Sequence, residues 1–211
     1  MNLTDYKAFK FVENIEKRYT IGDKLGQGNF GVVRQCVHKE TGKTFAIKLI
    51  SKGFIASKNV YKELLENEFR ILSKKSHPNL IRIIDLFEDN TNYYIVSEIV
   101  HGGELFHRLA QLSKFTEQQA ADVIYQIMLG LNYLHQEGVI HRDLKPENIL
   151  LTSEDMENFD VKIADLGFAC NHKENGADLV LGSPLYIAPE LFAQQHYDSK
   201  IDVWSLGIIT F

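Results

Sequence analysis

The run His141-Arg142-Asp143-Leu144-Lys145-Pro146-Glu147-Asn148 sets a carboxylate, an ammonium and an amide oxygen close together in one short stretch. Side chains of these types suit phosphoryl transfer, in which a protein mainly positions an alcohol and neutralises phosphate charge. Asp143 can orient the attacking hydroxyl and accept its proton. Lys145 can stand by the transferred group, and Asn148 can offer a neutral oxygen to Mg²⁺. A solvated turn accounts for any one of these residues but not for all three in this order.

Other stretches repeat the theme. Gly26, Gly28 and Gly31 strip side chains from a strand-turn-strand segment, so that backbone N–H groups can approach phosphates closely. A dinucleotide-binding turn is the rival, but a second strand rather than a helix follows Gly31. Ala46-Ile47-Lys48, Asp165-Leu166-Gly167, Ala188-Pro189-Glu190 and Asp202-Val203-Trp204-Ser205-Leu206-Gly207 come in that order along the chain.

On these motifs residues 19–211 resemble a eukaryotic protein kinase, and in particular the calcium/calmodulin-dependent and calcium-dependent serine/threonine group. The resemblance implies ATP and Mg²⁺ as cofactors and protein or peptide substrates with a Ser or Thr acceptor. It implies a bilobal α+β fold with a five-stranded antiparallel N-lobe sheet, one main helix and a mainly helical C-lobe. It also implies that Lys48 contacts ATP, that Asp165 holds Mg²⁺ with Asn148, and that Gln27, Asn29 and Phe30 complete the phosphate cover. Val33, Ala46 and Leu150 would sandwich adenine, with Ser97, Glu98, Val100 and Glu104 lining the nucleotide site. Ser97 is small where relatives often carry more bulk. Glu104 and Glu147 match acidic positions that hold an arginine three residues before the acceptor, with ordinary surface salt bridging as the alternative. Gly182-Ser183-Pro184 places a hydroxyl beside the catalytic loop, and Lys145 marks the serine/threonine type. Leu166 departs from the commoner Phe. Leu179 stands where many relatives are phosphorylated, so Arg142 is expected to meet Asp178 instead of a phosphate.

One test needs only the lysine. With Leu64 at zero and about 100° per residue, Leu65 falls at about 100°, Ile71 at about −20°, Leu72 at about 80° and Glu68 at about 40°. Glu68 thus lies inside the apolar stripe of a helix over about Lys58 to Lys75. A carboxylate there needs a cation, and Lys48 is the candidate. Snorkelling of Glu68 to solvent is the alternative.

The elements that must carry these groups are legible in outline. Tyr19 to Gln27, Val32 to His38, Lys43 to Ile50, Ile81 to Phe87 and Tyr93 to Glu98 alternate as strands. Thr116 and Gln119 form a capping box ahead of Ala120, Ile124, Ile127, Leu131 and Leu134, which predicts a long helix ending at Gly138. The expected division is an arm over 1–18, an N-terminal lobe over 19–98 and a C-terminal lobe over 99–211 cut short within the helix opened by Asp202. Such a cut would leave an apolar face exposed. The acidic stretch between Leu151 and Val161 reads as a solvated hairpin loop.

Composition narrows the classes. The chain has 211 residues, 45% hydrophobic and 24% charged, and a net charge of −5, which argues for a globular protein and against a basic nucleic-acid or membrane-surface binder. Two cysteines give no disulfide framework and point to a reducing, cytoplasmic setting. No apolar run is long enough to span a membrane, and without an EF-hand pattern calcium or calmodulin control would need sequence not present here. A nucleotide-binding pseudokinase or scaffold, or an inactive fragment, is the alternative to an enzyme. The joint presence of Lys48, Glu68, Asp143, Asn148 and Asp165 speaks against the scaffold.

Overall fold

The computed structural model describes residues 10–28, 30–56, 76–171, 182–193 and 196–211. The chain divides into two compact units, one from the described parts of Met1–Lys75 with Arg82–Ile99 and one from those of Ser76–Ile81 with Val100–Phe211.

The first unit is a sheet. Strands β1 (Lys10–Phe11), β2 (Tyr19–Gln27), β3 (Gly31–His38), β4 (Thr44–Ser51), β5 (Ile83–Glu88) and β6 (Asn92–Ser97) lie in the order β1-β5-β6-β4-β3-β2. The five expected strands are antiparallel neighbours. A sixth is added, because β1 pairs in parallel with β5. The register Val33–Lys48–Ile95 and the pair Ala46–Ser97 put these side chains on one face, since directly opposed residues share a side of a sheet. The other face carries Cys36, Ile47, Tyr94 and Val96 in a core with Tyr19 and Phe87.

The described part of the expected arm joins that core. Val12 and Ile15 are buried in the core, and Asn14 caps a 3₁₀ turn at Ile15–Lys17 by accepting a hydrogen bond from Glu16 N–H at 2.7 Å. Burying two such aliphatic side chains contributes roughly 1.5–3 kcal/mol each, enough to hold a short segment on a sheet. A short helix, α1 (Lys52–Ala56), follows β4 and was not anticipated. The expected helix over about Lys58 to Lys75, with Glu68, lies outside the described residues, as does Asn29.

The second unit is mainly helical. It contains α2 (Leu105–Leu112), α3 (Glu117–Gln136), β7 (Val139–Ile140), a 3₁₀ turn at Pro146–Asn148, β8 (Ile149–Leu151), β9 (Val161–Ile163), β10 (Cys170–Asn171), α4 (Pro189–Phe192) and α5 (Lys200–Thr210). β8 pairs with β9 and β7 with β10, both antiparallel. The capping box forms as the sequence predicts: Thr116 Oγ1 accepts from Gln119 N–H at 3.2 Å while Gln119 Oε1 accepts from Thr116 N–H at 2.9 Å. Gly138 then ends the segment at φ 74°. The buried stripe of α3 runs through Val123, Ile127, Gly130, Leu131 and Leu134, so Val123 begins it, while the expected Ala120 and Ile124 are only partly buried. α5 leaves Val203, Trp204 and Ile208 exposed.

Candidate active site

The residues of the expected catalytic loop, His141 to Asn148, sit between β7 and β8, two strands with buried side chains that fix where the loop begins and ends. Leu144 is fully buried inside it and pins its middle. The loop's polar groups are held from below by α5. Asp202, fully buried, accepts His141 N–H at 2.8 Å and Arg142 N–H at 2.9 Å, and its Oδ2 lies 2.8 Å from His135 Nε2. A carboxylate so buried is tolerable only with such donors. Sequence reasoning did not give Asp202 this role. Ile201, Asp202, Ser205 and Leu206 form the buried face of one helix, but apolar Val203, Trp204 and Ile208 on its exposed side hide that face in the sequence.

His141 is likewise buried. Its Nδ1 accepts from Asp143 N–H at 3.2 Å, which leaves the proton on Nε2 to be donated to Ala164 O at 3.2 Å. The ring therefore ties the loop to the end of β9. Arg142 adopts φ 67°, and its side chain donates from Nε to Phe168 O at 2.6 Å and from Nη1 to Tyr197 Oη at 3.0 Å. Asp178, its expected partner, is outside the described residues. The Tyr197 contact was not foreseen.

Asp143 is 3% exposed and its carboxylate is held on both oxygens. Ser183 Oγ donates to Oδ1 at 2.9 Å, while Lys145 Nζ and Asn148 Nδ2 reach Oδ2 at 3.1 and 3.2 Å. Lys145 Nζ also donates to Ser183 Oγ at 2.8 Å. A carboxylate offers about four lone-pair positions. Three are used by described residues, and the spare one lies on Oδ1. Ser183 reaches the site because Gly182, at φ 113°, runs against the loop backbone; a side chain there would meet Arg142 O at 2.6 Å.

Asn148 is 7% exposed, and its Nδ2 bonds both the carbonyl and the carboxylate of Asp143, at 2.8 and 3.2 Å. This orientation turns the amide oxygen, a possible acceptor, away from the carboxylate of Asp143. Ala164 N–H donates to Asn148 O at 2.8 Å, so the residue before Asp165 is tied to Asn148 by backbone. Asp165 itself sits at φ 54°, a left-handed conformation that costs a non-glycine residue about 1–2 kcal/mol. Leu166, the next residue in sequence, is buried. An amide oxygen and a carboxylate are hard donors of the kind Mg²⁺ takes, so this pair fits the ion.

Glu104 precedes α2, bridges to Leu150 and lies 3.6 Å from His107 Nδ1. Glu147 is exposed on the 3₁₀ turn. Burial, with the charge of Glu147, raises the Tyr186 hydroxyl above its ordinary pKa, against a smaller opposing pull from Lys145.

In the first unit, the expected phosphate cover is the β2–β3 hairpin. Gly28 N–H donates to Gly31 O at 2.9 Å and Gln27 Nε2 to the same oxygen at 3.1 Å. Gly31 is forced by sterics: a Cβ would stand 1.9 Å from Leu49 O. Phe30 is buried, with Lys48 Nζ 5.8 Å from its ring centroid. Lys48 is 9% exposed and shares its face with Val33, Ala46, Ile95 and Ser97. Glu98 accepts from Arg82 N–H at 2.7 Å, and Val100 begins the second unit.

The sequence joins the two sets of residues to known proteins. Residues 19–211 match the protein kinase domain family, and the chain belongs to it. It is 39% identical over 199 residues to a probable myosin light chain kinase of Dictyostelium discoideum, covering 93% of this chain and 50% of that protein. It is 39% identical over 195 residues to the serine/threonine-protein kinase DCLK2 of Mus musculus, covering 92% of this chain and 25% of that protein. The serine/threonine-protein kinase DCLK1 of Rattus norvegicus is 35% identical over 205 residues, covering 97% of this chain and 46% of that protein. The chain thus spans half or less of the length of these relatives.

Proposed function

We propose that this chain transfers the γ-phosphoryl group of ATP to Ser or Thr of protein substrates that carry Arg three residues before the acceptor. The observation that carries this reading is the fixed Asp143–Lys145–Ser183–Asn148 cluster. Asp143 Oδ1, with its spare lone pair, orients the substrate hydroxyl and takes its proton as the new P–O bond forms. Lys145, held between Asp143 and Ser183, neutralises charge on the transferred group. Asn148 and Asp165 would hold Mg²⁺, which supplies charge neutralisation across the ATP phosphates. Lys48, Glu68 and the glycine hairpin with Gln27, Asn29 and Phe30 serve the phosphates; Val33, Ala46, Ser97, Glu98, Val100 and Leu150 serve the nucleoside. Glu104 and Glu147 receive the substrate arginine.

Relatives named as serine/threonine kinases support the acceptor class, while the calcium/calmodulin-dependent assignment rests on the sequence motifs alone. Among the described residues no helix is long and apolar enough to cross a membrane. The chain's two cysteines, both buried, make no disulfide framework, and on that usage we assign the protein to the cytoplasm. The test is label transfer from γ-³²P-ATP to matched peptides ending their motif in Ser, Thr or Tyr, with and without Mg²⁺. Mg²⁺-dependent label on Ser and Thr is expected. Label on Tyr alone, or none with Mg²⁺ present, overturns the proposal.

A further inference from the structure

Arg108 is the most buried arginine side chain with a defined set of partners in the second unit, at 3% exposed, and nothing in the proposed chemistry uses it. It lies on α2, one turn after Glu104, and Arg108 N–H donates to Glu104 O at 3.2 Å. Its guanidinium reaches across to the loop between β8 and β9. Nη1 donates to Asp155 O at 2.9 Å and Asn158 O at 3.4 Å, and Nη2 donates to Ser153 O at 2.9 Å. A buried guanidinium is costly without such bonds, and only a planar fork satisfies several carbonyls at once.

The loop it grips is itself stiff. Thr152 N–H donates to Asp160 O at 2.9 Å, Glu157 N–H to Asp155 Oδ1 at 3.0 Å, and Gln126 Nε2 of α3 to Phe159 O at 3.0 Å. A second tie lies at the start of α2. Leu151 N–H donates to Gly103 O at 2.8 Å, Gly102 N–H donates to Leu151 O at 3.1 Å, and Glu104 bridges to Leu150. α2 also packs against the 3₁₀ turn that bears Glu147. Two ties fix a helix end in orientation where one would leave it free to pivot.

We infer that Arg108 is a positioning residue for substrate selection: by clamping α2 to the β8–β9 loop it sets the spacing between Glu104 and Glu147, and so the fit of a guanidinium between them. The inference rests on the assignment of those two carboxylates to the substrate arginine. Methionine at this position fills much of the volume and cannot grip the carbonyls. Lysine keeps the charge without the fork.

The experiment compares kcat/KM for two peptides that differ only in Arg or Ala three residues before the acceptor. It uses the full chain as wild type, Arg108→Met and Arg108→Lys, with a thermal melt of each. The wild type should favour the Arg peptide about tenfold, as expected for one charged contact pair. Arg108→Met should cut that ratio by at least about threefold, and Arg108→Lys should recover part of it. Lower melting temperature with an unchanged ratio makes Arg108 a stabilising residue only and overturns the inference. A wild type with no preference overturns the assignment of Glu104 and Glu147 as well, which separates the two failures. Should Arg108→Met fail to fold, the ratio for Arg108→Lys decides, since an intact preference there means the fork is not needed.

Discussion

In the sheet unit, the residues assigned to phosphate are defined by what is left out, whereas in the helical unit the residues assigned to the reaction are defined by how many bonds hold them. Gly31 is where it is because Leu49 O occupies the space a Cβ would need. Asp143, by contrast, is ringed by Ser183, Lys145 and Asn148, and the loop that carries it hangs on Asp202. Steric exclusion admits a mobile, variable ligand. A saturated polar network fixes one geometry, which suits a proton acceptor better than a cover.

The largest break in this contrast comes from Asp202→Asn. The carboxylate serves three partners on two oxygens, and an asparagine keeps one acceptor oxygen while turning an NH₂ toward one of the two backbone N–H groups. A loss of about 3 kcal/mol in urea unfolding is expected from this change, since charge-assisted hydrogen bonds contribute about 1.5–3 kcal/mol each. An unchanged midpoint would show that the loop does not depend on α5.

Gly31→Ala tests the other side. Backbone must shift to admit the methyl group, at a cost of about 1–3 kcal/mol, read as a lower urea midpoint. A neutral result would mean the hairpin adapts freely.

Ser97→Met adds bulk on the Lys48 face of the sheet. Inhibitors of the ATP site that carry a bulky aromatic group should lose about tenfold or more in potency against this variant, a factor of the size that single pocket methylenes produce. Equal inhibition of both forms would place Ser97 away from the nucleotide.

Asp89 offers the smallest effect, in the β5–β6 hairpin. Burial works to raise its pKa, but hydrogen bonds from Tyr94, Thr91 and Asn92 outweigh it and hold the carboxyl below its ordinary value of 3.8. The folded state therefore releases this proton more readily than the unfolded one. Its stabilisation is present above the unfolded value and is lost as pH falls through 3.8 toward the folded value. Asp89→Asn should cost about 1 kcal/mol at neutral pH and flatten stability over that acid window. The same acid slope in both proteins would contradict this.

The strands of the sheet were readable because alternation survives in Val32 to His38 and Tyr93 to Glu98, and the long helix because its capping box and its stop at Gly138 are both local signals. β1 was not readable: two residues carry no period, and its partner β5 lies more than seventy residues away. The catalytic loop was legible as residue types in order. Its supports were not, because Asp202, His135 and Tyr197 act through contacts more than fifty residues distant. Arg108 was missed for a different reason. Arginine on an amphipathic helix is ordinarily solvated, and only its place one turn after buried Leu105 hinted otherwise.

The central claim is that Asp143 accepts the proton of the substrate hydroxyl, and Asp143→Asn tests it most directly. Asparagine preserves the size of the side chain and removes the base. Transfer from Mg-ATP to a Ser/Thr peptide should fall by roughly 10²–10⁴-fold, while Mg-ATP should raise the melting temperature of variant and wild type alike. Transfer at the wild-type rate by this variant would contradict the account.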